Sequence, residues 1–178
     1  LHNGIVENFR ELREELSAEG VPFASDTDTE VIVHLVQREL DNGADLTEAT
    51  RAAVSRLRGA HAIVVLNQKT ADRLVTVRIG NAGGVALGLG EGEMYIASDI
   101  PAILEHTRRM VFLEDRQMAT ITKDGYSVQT IEGEPVDAQI HTIAWDPVSA
   151  ARGEYKHFMQ KEIHEQARAL TDTIGGRI

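Results

Sequence analysis

Ala60-His61-Ala62-Ile63-Val64-Val65-Leu66, followed by Leu74-Val75-Thr76-Val77, is where this chain changes from a helical to a strand-like period. Both runs are rich in β-branched residues, and the polar stretch Lys69–Asp72 between them reads as the turn of a strand pair. Upstream, Ile5, Phe9, Leu12 and Leu16 recur at helical spacing and Gly20 follows, which predicts a helix over Glu7–Glu19. Val21–Ala24 reads as a short extended piece. Ile32, Leu35, Val36 and Leu40 form the apolar face of a second helix that ends at Asn42-Gly43. A third runs from about Thr47 to Gly59, with Ala49, Ala52, Ala53 and Leu57 inward. Downstream the chain is strand-rich. Val85–Leu89, Met94–Ala97, Met110–Leu113, Met118–Thr122, Ser127–Ile131 and Ile140–Ile143 are expected strands, with Asp124-Gly125 and Glu132-Gly133 at turns. A short helix over Ile100–Glu105 is expected, capped by Ser98 or Asp99 and carrying Pro101 in its first turn. After Trp145-Asp146-Pro147 comes a polar linker and a last helix, His157–Leu170. Helices followed by mostly antiparallel strands predict an α/β (α+β) fold with helices layered on sheet.

The chain has 178 residues, 42% of them hydrophobic, which suits one domain or one domain with a tail. A formal charge of −10 argues against a nucleic-acid partner, which would call for a basic stripe. No apolar run approaches the ~20 residues of a membrane span. With no cysteine there is no disulfide, thiolate metal site or cysteine nucleophile in the chain. A cytoplasmic location is expected. The sequence starts at Leu1, inside a motif, and is read as the C-terminal part of a larger protein.

That motif is His2-Asn3-Gly4-Ile5-Val6-Glu7-Asn8. An Asn amide and the next backbone N–H are two donors that can stabilise a tetrahedral oxyanion. Asn-Gly is equally a hairpin-turn dipeptide. Thr27-Asp28-Thr29-Glu30 is a second constellation: Thr27 and Glu30 have the spacing of a helix capping box, and Asp28 suits the positive end of a helix. Other candidates fail on context. Gly88-Leu89-Gly90-Glu91-Gly92 is followed by a strand, not the helix a phosphate loop needs. The seven histidines have no metal-ligand spacing. Glu30 and His34 are an ordinary i,i+4 pair. Arg10-Glu11-Leu12-Arg13-Glu14-Glu15 reads as a solvated helix face. Ser98-Asp99 reads as a cap, without the flanking glycines of a nucleophile elbow.

The blocks from His2 to Leu16, Ser25 to Leu35, Arg56 to Asn67, Gly88 to Asp99 and Thr107 to Glu114 resemble the glutaminase domain of the isomerizing glutamine–fructose-6-phosphate aminotransferases. His157-Phe158-Met159-Gln160-Lys161-Glu162-Ile163-His164-Glu165-Gln166 and Gly175-Gly176-Arg177-Ile178 resemble that family's connection to its sugar isomerase domain. The resemblance implies a four-layer αββα sandwich of the N-terminal-nucleophile hydrolases. It divides the chain into 1–145, the C-terminal part of a glutaminase domain, and 146–178, a linker and hinge helix. It implies Asn3 and Gly4 as oxyanion donors and Asp28 as the anchor for the α-ammonium group of glutamine, with no cofactor and no metal. The nucleophile would be an N-terminal cysteine using its own amine as base, and an arginine would hold the glutamine carboxylate. Both would precede Leu1, so the chain alone is expected to be inactive. Glutamine and a covalently linked isomerase domain are the expected partners, in a homo-oligomer. The alternatives are the glutaminase domain of another amidotransferase, such as amidophosphoribosyltransferase, and a non-catalytic binding module. Ala167 and Asn81-Ala82-Gly83-Gly84 depart from the family's pattern, and neither is expected to touch a residue with a chemical role.

Overall fold

The computed structural model describes residues 1–144 and 155–175, and the chain divides into two compact units, Leu1–Ile143 and Ala144–Ile178. In the first unit β1 (His2–Gly4) precedes three helices, α1 (Phe9–Ala18), α2 (Thr29–Asp41) and α3 (Leu46–Ser55). Nine strands follow: β2 (His61–Leu66), β3 (Arg73–Ile79), β4 (Ala86–Leu89), β5 (Met94–Ala97), β6 (Arg109–Phe112), β7 (Gln117–Thr122), β8 (Gly125–Thr130), β9 (Pro135–Val136) and β10 (His141–Thr142). They make one sheet of order β1-β2-β3-β7-β8-β9 and another of order β10-β6-β4-β5. Every ladder is antiparallel.

Alternation along the strands builds the layers, because successive side chains point to opposite faces. On one face of the larger sheet, Ile63, Val75, Val77 and Met118 pack with Leu12, Leu16, Ile32 and Leu35 of the helices. On its other face, Ala119, Ile121 and Val128 meet Val85, Leu87 and Val111 of the smaller sheet. The remaining face of the smaller sheet offers Met110 and Phe112 to Ile103 and Leu104, which follow the 3-10 turn Ile100–Ala102. The result is helices, sheet, sheet, and a short helical segment: the expected α+β sandwich with antiparallel sheets. In the described residues the fourth layer is only that segment.

Most predicted elements are present with shifted ends. Helix α1 is shorter than Glu7–Glu19, and Ile5 lies outside it, 71% exposed. The residues before it are held in another geometry: Val6 N–H donates to Asp28 and Glu7 N–H to the Arg58 carbonyl. Val21–Ala24 forms no strand. Helix α3 stops at Ser55 rather than Gly59, and its cap is Asp45, whose carboxylate accepts from Glu48 N–H at 2.9 Å. Ile100–Glu105 shrinks to the 3-10 turn, capped by Asp99. The charge run in α1 is not merely solvated. Glu15 takes a two-pronged hydrogen bond from Arg56 (2.8 and 2.6 Å) and another from Arg38 (3.0 Å), tying three helical segments together. Arg13 lies over the Phe23 ring.

In the second unit, Phe158–Ile174 forms α4, at the expected position of the last helix. The linker around Trp145-Asp146-Pro147 and the end at Gly176–Ile178 lie outside the described residues. Among the described residues no helix is long and apolar enough to cross a membrane.

Candidate active site

Asn3-Gly4 is not a hairpin turn. It lies in β1, with Asn3 opposite Ala62 and Gly4 opposite His61. Leu1 and Val64 exchange both backbone hydrogen bonds, at 2.8 and 2.9 Å. In an antiparallel ladder bonded pairs alternate with unbonded ones, so Asn3 bonds β2 and Gly4 does not. Among the described residues β1 is the edge of its sheet, so the Gly4 N–H is directed away from β2 to the open side. Only glycine suits the position. Its φ of +129° is strained for any other residue, and a Cβ would collide with the Ala60 carbonyl oxygen.

The Asn3 amide is oriented by one of its own hydrogens. Nδ2 donates to the Ala82 carbonyl at 2.6 Å, which identifies the nitrogen and leaves its second hydrogen for a ligand. This corrects an expectation: the Asn81–Gly84 turn does touch a residue with an assigned role. The contact joins residues 79 apart, so nothing local announces it.

Asp28 is tied to the same segment. Its Oδ2 accepts from Val6 N–H at 2.7 Å, although it stands at the N-cap of α2 and makes no side-chain cap bond there. The capping box is not formed. Glu30 reaches past Thr27 and accepts from Ala24 N–H (2.6 Å), Ser25 N–H (2.7 Å) and the Ser25 hydroxyl (2.5 Å). Those donors, the Ser25 hydroxyl first, hold its carboxyl down at about 2. Glu30 thus closes the loop that carries Asp28, and Asp28 faces β1.

A histidine pair sits behind these groups. His2 Nδ1 lies 2.8 Å from Thr29 Oγ1, its Nε2 lies 3.1 Å from His61 Nδ1, and His61 Nε2 lies 3.2 Å from the Arg58 carbonyl. Burial, more than any neighbouring charge, lowers both imidazole pKa values below the ordinary histidine value. Asn8 completes the support. Buried at 8% exposure, it donates to the Arg56 carbonyl and accepts from Arg58 N–H, both at 2.9 Å. Beside the site is an apolar groove of about 510 Å³, lined in part by Leu1, His2, Thr29, Ile32, Val33 and Leu66.

Asn3, Gly4 and Asp28 are therefore brought together, since the strand bearing the two donors runs directly into the residue that holds Asp28. The sequence did not disclose the parts played by Val6 N–H, Asn8, Thr29, His61 and Ala82, although each lies within or beside a recognisable stretch, because their partners lie 22 to 79 residues away.

The family model for the glutamine amidotransferase domain matches residues 1–105. A glutamine–fructose-6-phosphate aminotransferase (isomerizing) of Symbiobacterium thermophilum is 51% identical over 178 residues, covering 100% of this chain and 29% of the relative. That of Thermococcus kodakarensis is 48% identical over 177 residues, covering 99% and 29%. The chain thus spans 29% of the length of these curated relatives. Among solved structures, the glutamine phosphoribosylpyrophosphate amidotransferase of B. subtilis superposes with a TM-score of 0.63 at 25% identity, covering 74% of this chain and 28% of that one. An allosteric regulatory enzyme of purine biosynthesis does so with a TM-score of 0.60 at 26% identity, covering 73% and 27%.

Proposed function

Given that the chain belongs to the glutamine amidotransferase domain family, we propose that it is the glutamine-hydrolysing part of an enzyme that aminates fructose 6-phosphate to glucosamine 6-phosphate. Its α+β sandwich is the N-terminal-nucleophile hydrolase fold of its structural neighbours. The observation that carries the proposal is the open-edge Gly4 N–H beside an Asn3 amide already oriented through Ala82, with Asp28 bonded to the same segment.

In this reading glutamine lies against the free edge of β1. The Asn3 Nδ2–H and Gly4 N–H stabilise the oxyanion formed when the side-chain amide is attacked, each worth about 3–4 kcal/mol in comparable sites. Asp28 keeps Oδ2 on Val6 and offers Oδ1 to the α-ammonium group. That charge-assisted bond selects an amino acid over a plain amide. No cysteine is present among the 178 residues, so a thiolate nucleophile must come from outside them. The liberated ammonia passes to a sugar isomerase domain of the longer protein. Residues 1–145 are the glutaminase part and 146–178 the linker and hinge helix. A homo-oligomeric, cytoplasmic enzyme completes this reading.

The higher identity to the aminotransferases, with the His157–Gln166 block, favours this acceptor over phosphoribosyl pyrophosphate. The test is ammonia release from glutamine by the 178-residue chain and by the full-length protein, with either acceptor supplied. Release by the full-length protein alone is expected, coupled to fructose 6-phosphate. Asn3→Ala should lower kcat by about 10²–10³-fold. Turnover by the isolated chain, or an Asn3→Ala enzyme with unchanged kcat, refutes the assignment.

A further inference from the structure

We propose that His61 is a positioning residue for glutamine hydrolysis: through His2 it holds the oxyanion strand and the Asp28 turn in one arrangement. This rests on the glutaminase reading above. His61 is 1% exposed, and no part of the proposed chemistry uses it directly. A buried imidazole must satisfy both ring nitrogens, and its surroundings dictate how.

The Arg58 carbonyl can only accept, so His61 Nε2 carries a hydrogen and donates to it. In the neutral ring Nδ1 is then an acceptor, and the donor facing it is His2 Nε2–H. His2 Nδ1 in turn accepts from the Thr29 hydroxyl. The chain is therefore directional: Thr29 to His2, His2 to His61, His61 to the Arg58 carbonyl. Each end is attached to the site. His2 precedes Asn3, Thr29 follows Asp28, and the same Arg58 carbonyl accepts the Glu7 N–H at 3.0 Å. This link between the two functional segments is independent of the Val6–Asp28 bond.

The pair holds at most one added proton. With both rings doubly protonated, two N–H groups would face each other across 3.1 Å. Asp28 faces His2, and Asp28 and Glu7 face His61. The carboxylates favour protonation, but burial outweighs them, and the directional neutral chain is the resting form.

The experiment uses the full-length enzyme. His61→Phe fills the space without an acceptor for His2, whereas His61→Asn keeps an acceptor near the Nδ1 position. A misdirected oxyanion strand should lower kcat for glutamine by about tenfold to a hundredfold in His61→Phe. His61→Asn should recover most of that loss, and ammonia-driven amination should stay unchanged in both. Thr29→Val breaks the far end of the chain, so combining it with His61→Phe should cost little more than either alone. Wild-type kcat in His61→Phe, an equal loss in His61→Asn, or multiplicative losses in the double variant overturns the proposal. If His61→Phe does not fold, the same comparison between Thr29→Val and its combination with His61→Asn decides. A wild-type enzyme that hydrolyses no glutamine overturns the glutaminase reading itself and is told apart by that control.

Discussion

Replacing Glu15 with Gln should destabilise the first unit in a pH-dependent way. The Glu15 carboxylate accepts both prongs of Arg56 and a third bond from Arg38. These partners, Arg56 first, bring its pKa from 4.5 to about 2. The guanidinium pKa values of Arg38 and Arg56 rise chiefly through Glu15. At about 1.4 kcal/mol per pH unit, a carboxyl so displaced is worth about 3.4 kcal/mol at full strength. The side chain is 38% exposed, so water screens the interaction to about 1–2 kcal/mol. The sign follows from the lowered value. Stabilisation is complete above the unfolded carboxyl's 4.5 and is lost as pH falls toward 2. Urea unfolding of the wild type and Glu15→Gln at pH 7, 4.5, 3 and 2.5 measures the difference. It should be about 1–2 kcal/mol at pH 7 and less than half of that by pH 3. A difference that stays constant across this window means packing, not charge, is responsible, and the reasoning fails.

Three further outcomes are expected. In the full-length enzyme Asp28→Asn keeps an oxygen for Val6 N–H but loses the charge, so glutamine affinity should fall by about 1.5–3 kcal/mol with little change in melting temperature; early unfolding with normal glutamine binding shows that Asp28 is structural. Gly4→Ala should lower stability by at least about 2 kcal/mol and abolish glutamine turnover, because both φ and the Ala60 carbonyl oppose a Cβ; a wild-type melting curve contradicts the strand geometry. The edge of β1 and the exposed apolar side chains of Val33 and Leu66 beside the groove should make the isolated chain self-associate; light scattering should show the association reduced by Val33→Lys with Leu66→Lys, and a dilution-independent monomer in the unaltered chain refutes it.

The interior of each helix and strand was legible because its periodicity is local. Ile32, Leu35 and Val36 repeat at helical spacing and are buried where that spacing puts them. Val75 and Val77 alternate with Thr76 and fill the helix-facing side of their sheet. Asn42-Gly43 ends α2 as read, with Gly43 at a positive φ. The proposed roles of Asn3, Gly4 and Asp28 come from resemblance, not from any local rule, since Asn-Gly also signals a turn and Thr27-x-x-Glu30 also signals a cap.

What the tertiary structure alone decided is which of those competing local readings holds. Three residues with an Asn-Gly core cannot specify a strand by themselves. His2–Gly4 is one because Ala62 and His61, far along the chain, supply the ladder that sets its register and turns the Gly4 N–H outward. Glu30 has donors at both Thr27 and Ser25 within reach by sequence, and the loop's path to Arg13 and β1 selects Ser25. The same holds for His61, Ala82 and the Glu15–Arg56 pair, whose partners lie 41 to 79 residues away. Periodicity reports which face of an element is apolar; it carries no record of the distant donor or acceptor that a folded chain brings to it.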